Sequence, residues 1–207
     1  MLYSQSPALF FSWLIWCLLH SLLASRRVKK RLTGGVELRQ RLYRVFYVIF
    51  STITLGVLLV WQFSVLDIPT PAGRLWQACR LALAAYGFYM LVAGGRAYDL
   101  REFLGVDTFS GERRETATHF RRDGILGRLR HPWYSGGIAL VIALGQTPLD
   151  RWDWRLLLIA YLVVGALIEE RRLVAELGQV YRRYQREVPM LIPGIKPGKE
   201  RNGEEVR

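Results

Sequence analysis

Arg130-His131-Pro132-Trp133-Tyr134 is the stretch on which the reading of this 207-residue chain turns. A basic, polar run ends there and an apolar one begins. Pro132 suits the first turn of a helix, where its missing N–H costs nothing. The apolar segment that follows covers residues 133–147, and a second covers 154–168, with Pro148-Leu149-Asp150-Arg151-Trp152-Asp153 between them. Each leg is about 16 residues, so an antiparallel helical hairpin brings Glu169, with Glu170 next to it, back level with Pro132. The backbone N–H groups of the first turn, at the positive end of the helix dipole, face the same space as the two carboxylates. A ligand carrying both a carboxylate and an ammonium or hydroxyls is complementary to that arrangement.

Three more apolar segments precede the hairpin, at residues 8–24, 43–63 and 75–95. The last two approach the ~20 residues a helix needs to cross the hydrocarbon core. The shorter hairpin legs fit a site reaching partway into the bilayer, or local thinning. The chain is 51% hydrophobic yet carries 29 Lys+Arg against 17 Asp+Glu, which agree if apolar residues are blocked into spans with charges between them. A basic nucleic-acid binder would instead disperse its apolar residues with core periodicity, so no nucleic-acid partner is expected. The expected fold is all-α: a polytopic membrane helical bundle of about five transmembrane helices with a C-terminal amphipathic helix.

The first apolar run is followed, not preceded, by basic residues, Arg26-Arg27-Val28-Lys29-Lys30-Arg31, the reverse of a secretory signal. Residues 26–44, 96–131 and 171–207 together hold 25 of the 29 Lys/Arg. The positive-inside rule then puts the N-terminus outside and the C-terminus in the cytoplasm. Trp61, Trp76, Trp152 and Trp154 fall at the expected outer ends, as an aromatic belt does. Arg80 and Arg155, just inside spans, are expected to snorkel. The loop 26–44, broken at Gly34-Gly35, is expected to meet anionic lipid headgroups. The loop 96–130 carries Asp99, Glu102, Asp107, Glu112, Glu115 and Asp123 and reads as a folded cap. Leu173, Leu177, Val180, Tyr181 and Tyr184 continue the helical spacing to Glu187, and Pro189 ends it. Met190-Leu191-Ile192-Pro193 is expected to pack back on the bundle.

The residues taken singly leave alternatives open. Glu169 and Glu170 also read as a juxtamembrane ion-pair set with Arg171 and Arg172, and adjacent positions point about 100° apart, so at most one faces the bundle squarely. His131 also reads as an interfacial histidine bonded to a carbonyl. Ser135, Gly136, Ala139, Ala143 and Gly145 suit close helix packing. His20, near the inner end of the first span, is a functional candidate or an interhelical hydrogen-bonding group. His119 reads as a solvated loop residue. Cys17 and Cys79 read as small core filler, with no disulfide framework. No metal-ligand spacing, dinucleotide fingerprint or phosphate loop is present.

Several motifs occur together in order: Gly124-x-x-Gly127-x-x-Arg130-His131-Pro132-x-Tyr134-x-Gly136, then Glu169-Glu170-x-x-Leu173, Gly178, Tyr181, Tyr184 and Val188-Pro189-x-Leu191-x-Pro193. In this the chain resembles the isoprenylcysteine carboxyl methyltransferase and phospholipid methyltransferase superfamily. His20-Ser21-Leu22-Leu23-Ala24 and Arg41-Leu42-Tyr43-Arg44 look like bacterial branches, namely the methanethiol S-methyltransferases and the nitrite/nitric-oxide-reductase-associated U-type proteins. The resemblance implies an S-adenosylmethionine-dependent methyltransferase. It places the cofactor at His131, Pro132, Trp133, Tyr134 and Glu169, with Glu170 beside them and backbone around Leu126; it assigns no catalytic residue. It implies a bacterial inner membrane and one domain over residues 1–195, with cofactor binding in 118–193; residues 196–207, polar and rich in Gly and charge, read as a disordered tail. The prenylcysteine enzymes of the superfamily place an arginine where this chain has Gly165, so the acceptor stays broad: a thiol, a prenylcysteine-like compound or a lipid. NADPH-dependent sterol reductases share the fold with an Asn where this chain has Trp133, and a non-catalytic accessory protein is the third reading. Nothing in the sequence fixes an oligomeric state.

Overall fold

The computed structural model describes residues 7–64, 73–97, 122–145 and 152–195. Among them the chain is helical and has no strand. Helix α1 spans Pro7–Ala24, α2 Arg26–Thr33, α3 Glu37–Ser64 and α4 Arg74–Ala97. A 3-10 turn at Gly124–Gly127 leads into α5, Pro132–Ala143, and then come α6, Trp152–Leu177, and α7, Gln179–Glu187.

Helices α1, α3 and α4 are each long and apolar enough to cross a membrane. Their outward faces carry large apolar side chains such as Leu18, Val57, Val60, Leu81 and Phe88, all more than half exposed, as lipid-facing surfaces are. Helix α5 is apolar but only 12 residues, roughly 18 Å at 1.5 Å per residue, short of the hydrocarbon core. Helix α6 has the length, 26 residues, but charges at both ends, Asp153 and Arg155 against Glu169 to Arg172; its apolar stretch is 154–168. The chain is therefore an integral-membrane helical bundle with three long apolar spans and a shorter hairpin.

Sequence chemistry explains the joints. Ser25 caps α2, its side chain accepting from the Val28 N–H at 3.3 Å. Gly34, at φ 61°, closes α2 in the left-handed conformation that glycine adopts freely. The expected basic loop at 26–44 is thus a short helix, a glycine turn and the start of α3, which begins six residues before the apolar segment does. Glycine also sets the tightest helix contact. A Cβ on Gly136 of α5 would fall 2.8 Å from the Gly87 carbonyl of α4, and one on Gly87 would meet Gly136 O at 2.9 Å. The small-residue packing expected on this span is found there, with the Tyr86 and Ser135 hydroxyls 2.7 Å apart beside it.

The hairpin of α5 and α6 holds a constant antiparallel register. His131 meets Glu170, Tyr134 packs on Gly165, Gly137 on Leu162 and Gly145 on Arg155. The core between α1, α3, α5 and α6 is built from Leu9, Trp13, Cys17, Leu58, Val141 and Leu158, with Trp154 stacked on Trp13 at 5.7 Å.

Several expectations change. Trp154 belongs to this core and not to an interfacial belt, because its indole finds an aromatic partner inward. Arg155 does not snorkel: it is 1% exposed, its guanidinium 4.4 Å from the Trp152 ring centre. Arg80 donates to the Ala143 carbonyl at 2.9 Å, satisfying the negative C-terminal end of α5. Cys17 is core filler, but Cys79 is exposed on α4. The expected helix through to Glu187 is broken at Gly178, whose φ of 58° and ψ of −130° suit only glycine. The acidic cap apart from Asp123, His119, the hairpin turn at 146–151 and the tail at 196–207 lie outside the described residues.

Candidate active site at the basic end of the hairpin

The break at Gly178 determines what the end of α6 meets. On a straight helix Tyr181 would lie roughly 16 Å beyond Glu170. Folded back after Gly178, α7 brings the Tyr181 hydroxyl to Glu170 Oε1 at 2.6 Å and Gln185 Nε2 to Oε2. His131, the residue before α5, reaches the same Oε1 through Nε2 at 2.7 Å, and Arg130 Nη2 lies 3.2 Å from Oε2. Glu170 thus has four internal partners from two segments, the stretch that precedes α5 and α7. Two backbone bonds seal the join, from Arg130 N–H to Pro189 O at 3.0 Å and His131 N–H to Met190 O at 3.2 Å. Met190 to Pro193 therefore does pack back on the bundle, against the stretch that opens α5. Arg122 fastens the far side, donating to Val180 O at 2.8 Å and pairing with Glu187 at 3.2 Å.

The electrostatics follow from this wiring. Burial pushes the Glu170 carboxyl up, but hydrogen bonds from His131, Tyr181 and Gln185 and the Arg130 charge outweigh it, and the group falls from the ordinary 4.5 to about 2. It is therefore an anion that only accepts, so the His131 Nε2–H donates to it. Burial, then the bond to Glu170 and its charge, raise the Tyr181 phenol. Burial pushes Tyr184 up to about 12, although Arg130 pulls the other way. Both tyrosines stay protonated at neutral pH, and the Tyr184 hydroxyl donates a hydrogen bond to the Leu126 carbonyl.

Glu169 is placed differently. Its side chain is 35% exposed, and Oε2 lies 4.0 Å from His131 Nδ1. One carboxylate of the pair is thus built into the fold, and its neighbour looks out beside the same imidazole. His131 stands edge-on to Tyr134, ring centres 5.5 Å apart. Tyr134 faces α6, where an added Cβ on Gly165 would meet its Cε1 at 3.1 Å and its hydroxyl at 3.4 Å. Trp133 faces the other way: its indole donates to Leu91 O of α4 at 3.0 Å, and its ring fills the space left by Gly94. Pro132 is buried at the start of α5. Leu126 lies in an apolar cluster with Met90, Ile125 and Leu129, its N–H bonded to Asp123 O. His131, Tyr134, Glu169 and Glu170 are brought together, whereas Trp133 and Leu126 sit toward α4.

Sequence reasoning gave no role to Arg130, Tyr181 or Gln185. Arg130 is 9% exposed, and its Nε and Nη1 are buried without a partner among the described residues. Its position next to His131 was a usable signal; the contact of Gln185 with Glu170 was not, because it depends on the kink at Gly178.

A membrane helical bundle that gathers a buried histidine, arginine and glutamate under a second, outward-facing glutamate has the makings of an integral-membrane enzyme site. The sequence relatives say of which kind. Methanethiol S-methyltransferase of Mycobacterium tuberculosis is 30% identical over 192 residues, 86% of this chain and 74% of that protein. The enzyme of the same name from Crocosphaera subtropica is 28% identical over 87% of the chain and 72% of its own length. One from a Pseudomonas species is 30% identical over 73% of the chain, which spans 60% of that relative. No family model and no solved structure matches. The chain belongs to the same family as these methyltransferases, which agrees with the superfamily expected from its motifs, and it is a membrane methyltransferase. The reductase alternative finds no support in these relatives.

Proposed function

We propose that the protein transfers the methyl group of S-adenosylmethionine to a small apolar thiol, with the donor held at the basic end of the α5–α6 hairpin and that end facing the cytoplasm of a bacterial inner membrane. The observation that carries this reading is the division of labour between the paired glutamates: Glu170 is consumed by the fold, and Glu169 is left facing out beside His131.

The residues present fit a zwitterionic donor. The buried Arg130 has two donor positions to offer a carboxylate, and Glu169 offers a carboxylate to an ammonium. The first turn of α5 adds the positive end of a helix dipole. Bound there, S-adenosylmethionine supplies a methyl group on a sulfonium, a good leaving group. The protein has to orient the reacting groups, exclude water and avoid over-stabilising the sulfonium charge. His131, Pro132, Tyr134 and Glu169 line the site in this reading; Glu170 fixes the ring of His131; Trp133 and Leu126 support it from the α4 side.

The acceptor reading rests on the relatives' activity and on Gly165. Tyr134 occupies the space a side chain at 165 would need, so no arginine stands there to meet an acceptor carboxylate. A small uncharged thiol needs none. The test is methyl transfer from labelled adenosylmethionine by purified protein, with methanethiol, a prenylcysteine and a phospholipid as acceptors. Label in the methyl thioether is expected; label only in the lipid or prenylcysteine would replace the thiol reading, and no label in any acceptor would remove it.

A further inference from the structure

His20 is an ionisable side chain inside the span of α1, and phenols from two other helices engage both ring nitrogens. Nδ1 lies 2.7 Å from the Tyr161 hydroxyl of α6, and Nε2 lies 2.8 Å from the Tyr47 hydroxyl of α3. Trp16 lies against the ring at 4.9 Å between centres and donates its indole N–H to Thr54 of α3. The Ser21 hydroxyl, on the exposed side of α1, is 3.0 Å from the same Tyr161 oxygen. An ionisable group within an apolar span is expensive to keep. Helix association does not require it, because the Trp13–Trp154 stack and the apolar cluster already join α1, α3 and α6.

The proton inventory permits a relay that runs from Tyr161 to His20. A neutral imidazole has one donor and one acceptor nitrogen. With Nε2–H donating to Tyr47, Nδ1 accepts the Tyr161 proton, and Ser21 donates to the Tyr161 oxygen. Tyr161 can then take a proton from outside the cluster while passing its own to His20. The other titratable groups around the pair are Cys17 on α1 and Tyr43 on α3. Tyr161, Gly165 and Glu169 are spaced four residues apart and share one side of α6, about 6 Å per step. Along it Tyr161 meets His20, Gly165 meets the Tyr134 ring and Glu169 faces out beside His131, while Ser21, next to Tyr161, is exposed.

We propose that the Tyr161 hydroxyl is the proton acceptor for the thiol, which reaches it from the bilayer past Ser21, and that His20 is the positioning residue that holds Tyr161 and stores the proton. This rests on the thiol-methylation reading above. In the step, the S–H bond breaks and its proton goes to Tyr161 Oη as the phenol proton passes to His20 Nδ1. The sulfur electron pair forms the new S–CH₃ bond. The bond from that methyl to the donor sulfonium breaks, and its electron pair stays on the donor sulfur. Donor and product end as neutral thioethers, and the one positive charge ends on the His20 imidazolium until the proton returns to water.

The test compares wild type, His20→Gln and Tyr161→Phe in lipid nanodiscs at neutral pH with two acceptors: an alkanethiol, which arrives protonated, and a fluorinated thiophenol, which arrives ionised. Adenosylmethionine binding is titrated in parallel without acceptor. Both variants should lose about 100-fold in kcat/KM with the alkanethiol and stay within about threefold of wild type with the ionised thiol. Donor affinity should be unchanged. A purely structural role would lower both acceptors together, and that result, or donor binding lost with the variants, or full activity with the alkanethiol, overturns the inference. Wild-type turnover with unaltered variants overturns this inference alone. A wild type that methylates neither thiol overturns the thiol reading as well.

Discussion

His131 Nε2 and Glu170 Oε1 stand 2.7 Å apart across the ends of α5 and α6, both side chains buried, and that contact fixes the imidazole from which Glu169 is 4.0 Å away. The paired glutamates therefore predict opposite mutant phenotypes. Glu170→Gln removes the charge that compensates the buried Arg130 and should lower stability by about 3–5 kcal/mol. Glu169→Gln alters a half-exposed group and should leave stability within about 0.5 kcal/mol. Thermal unfolding of the two variants in the same detergent checks the contrast.

Acid should attack the same contact. Glu170 falls from 4.5 to about 2 on folding, so the stability it contributes is fully present above pH 4.5 and is lost as pH drops toward 2. The depression corresponds to about 3 kcal/mol. Unfolding free energy measured against pH should decline through that window in wild type, and Glu170→Gln should flatten the decline.

The kink at Gly178 is predicted to be indispensable to the site. Alanine there must adopt a φ near 58°, which costs about 1–2 kcal/mol before the unusual ψ of −130° is counted. Gly178→Ala should loosen α7 and free Tyr181 from Glu170. Hydrogen exchange should show faster amide exchange in residues 179–187, with α1 and α3 unchanged.

Gly165→Ala adds a methyl 3.1 Å from Tyr134 Cε1, so the ring must shift by a few tenths of an ångström. A displaced ring next to the reacting groups should lower the methyl-transfer rate by about tenfold. Because Tyr134 is a neighbour of His131 and not part of the glutamate network, donor affinity should change less than the rate does. Steady-state and binding measurements on one preparation separate the two.

Much of the scaffold is legible in the chain itself. Apolar blocks of membrane length, the Gly34-Gly35 turn and Pro132 at a helix start each carry a local signal, and each is found in place; the antiparallel hairpin is found too, although α5 ends at Ala143 and not at the expected 147. Counting residues along the two legs brings the glutamate pair to the start of α5. What the pattern hides is tertiary. Periodicity through Tyr181 and Tyr184 reads as one continuous helix, and only the backbone geometry at Gly178 turns it back on Glu170. Trp154 and Arg155 look like interfacial residues by position, yet Trp13, distant in sequence, draws the first inward and the space at Gly145, across the hairpin turn, takes the second. Which glutamate faces the bundle depends on the rotation of α6, and neither spacing nor composition fixes that.

The most direct measurement is the affinity of the purified protein for S-adenosylmethionine, with Glu169→Gln compared against wild type. Wild type should bind. The variant should bind at least about tenfold more weakly, a loss of about 1.4 kcal/mol, while unfolding at the wild-type temperature. Equal affinity in the two proteins, or no binding by the wild type, would contradict the assignment of Glu169 to the donor.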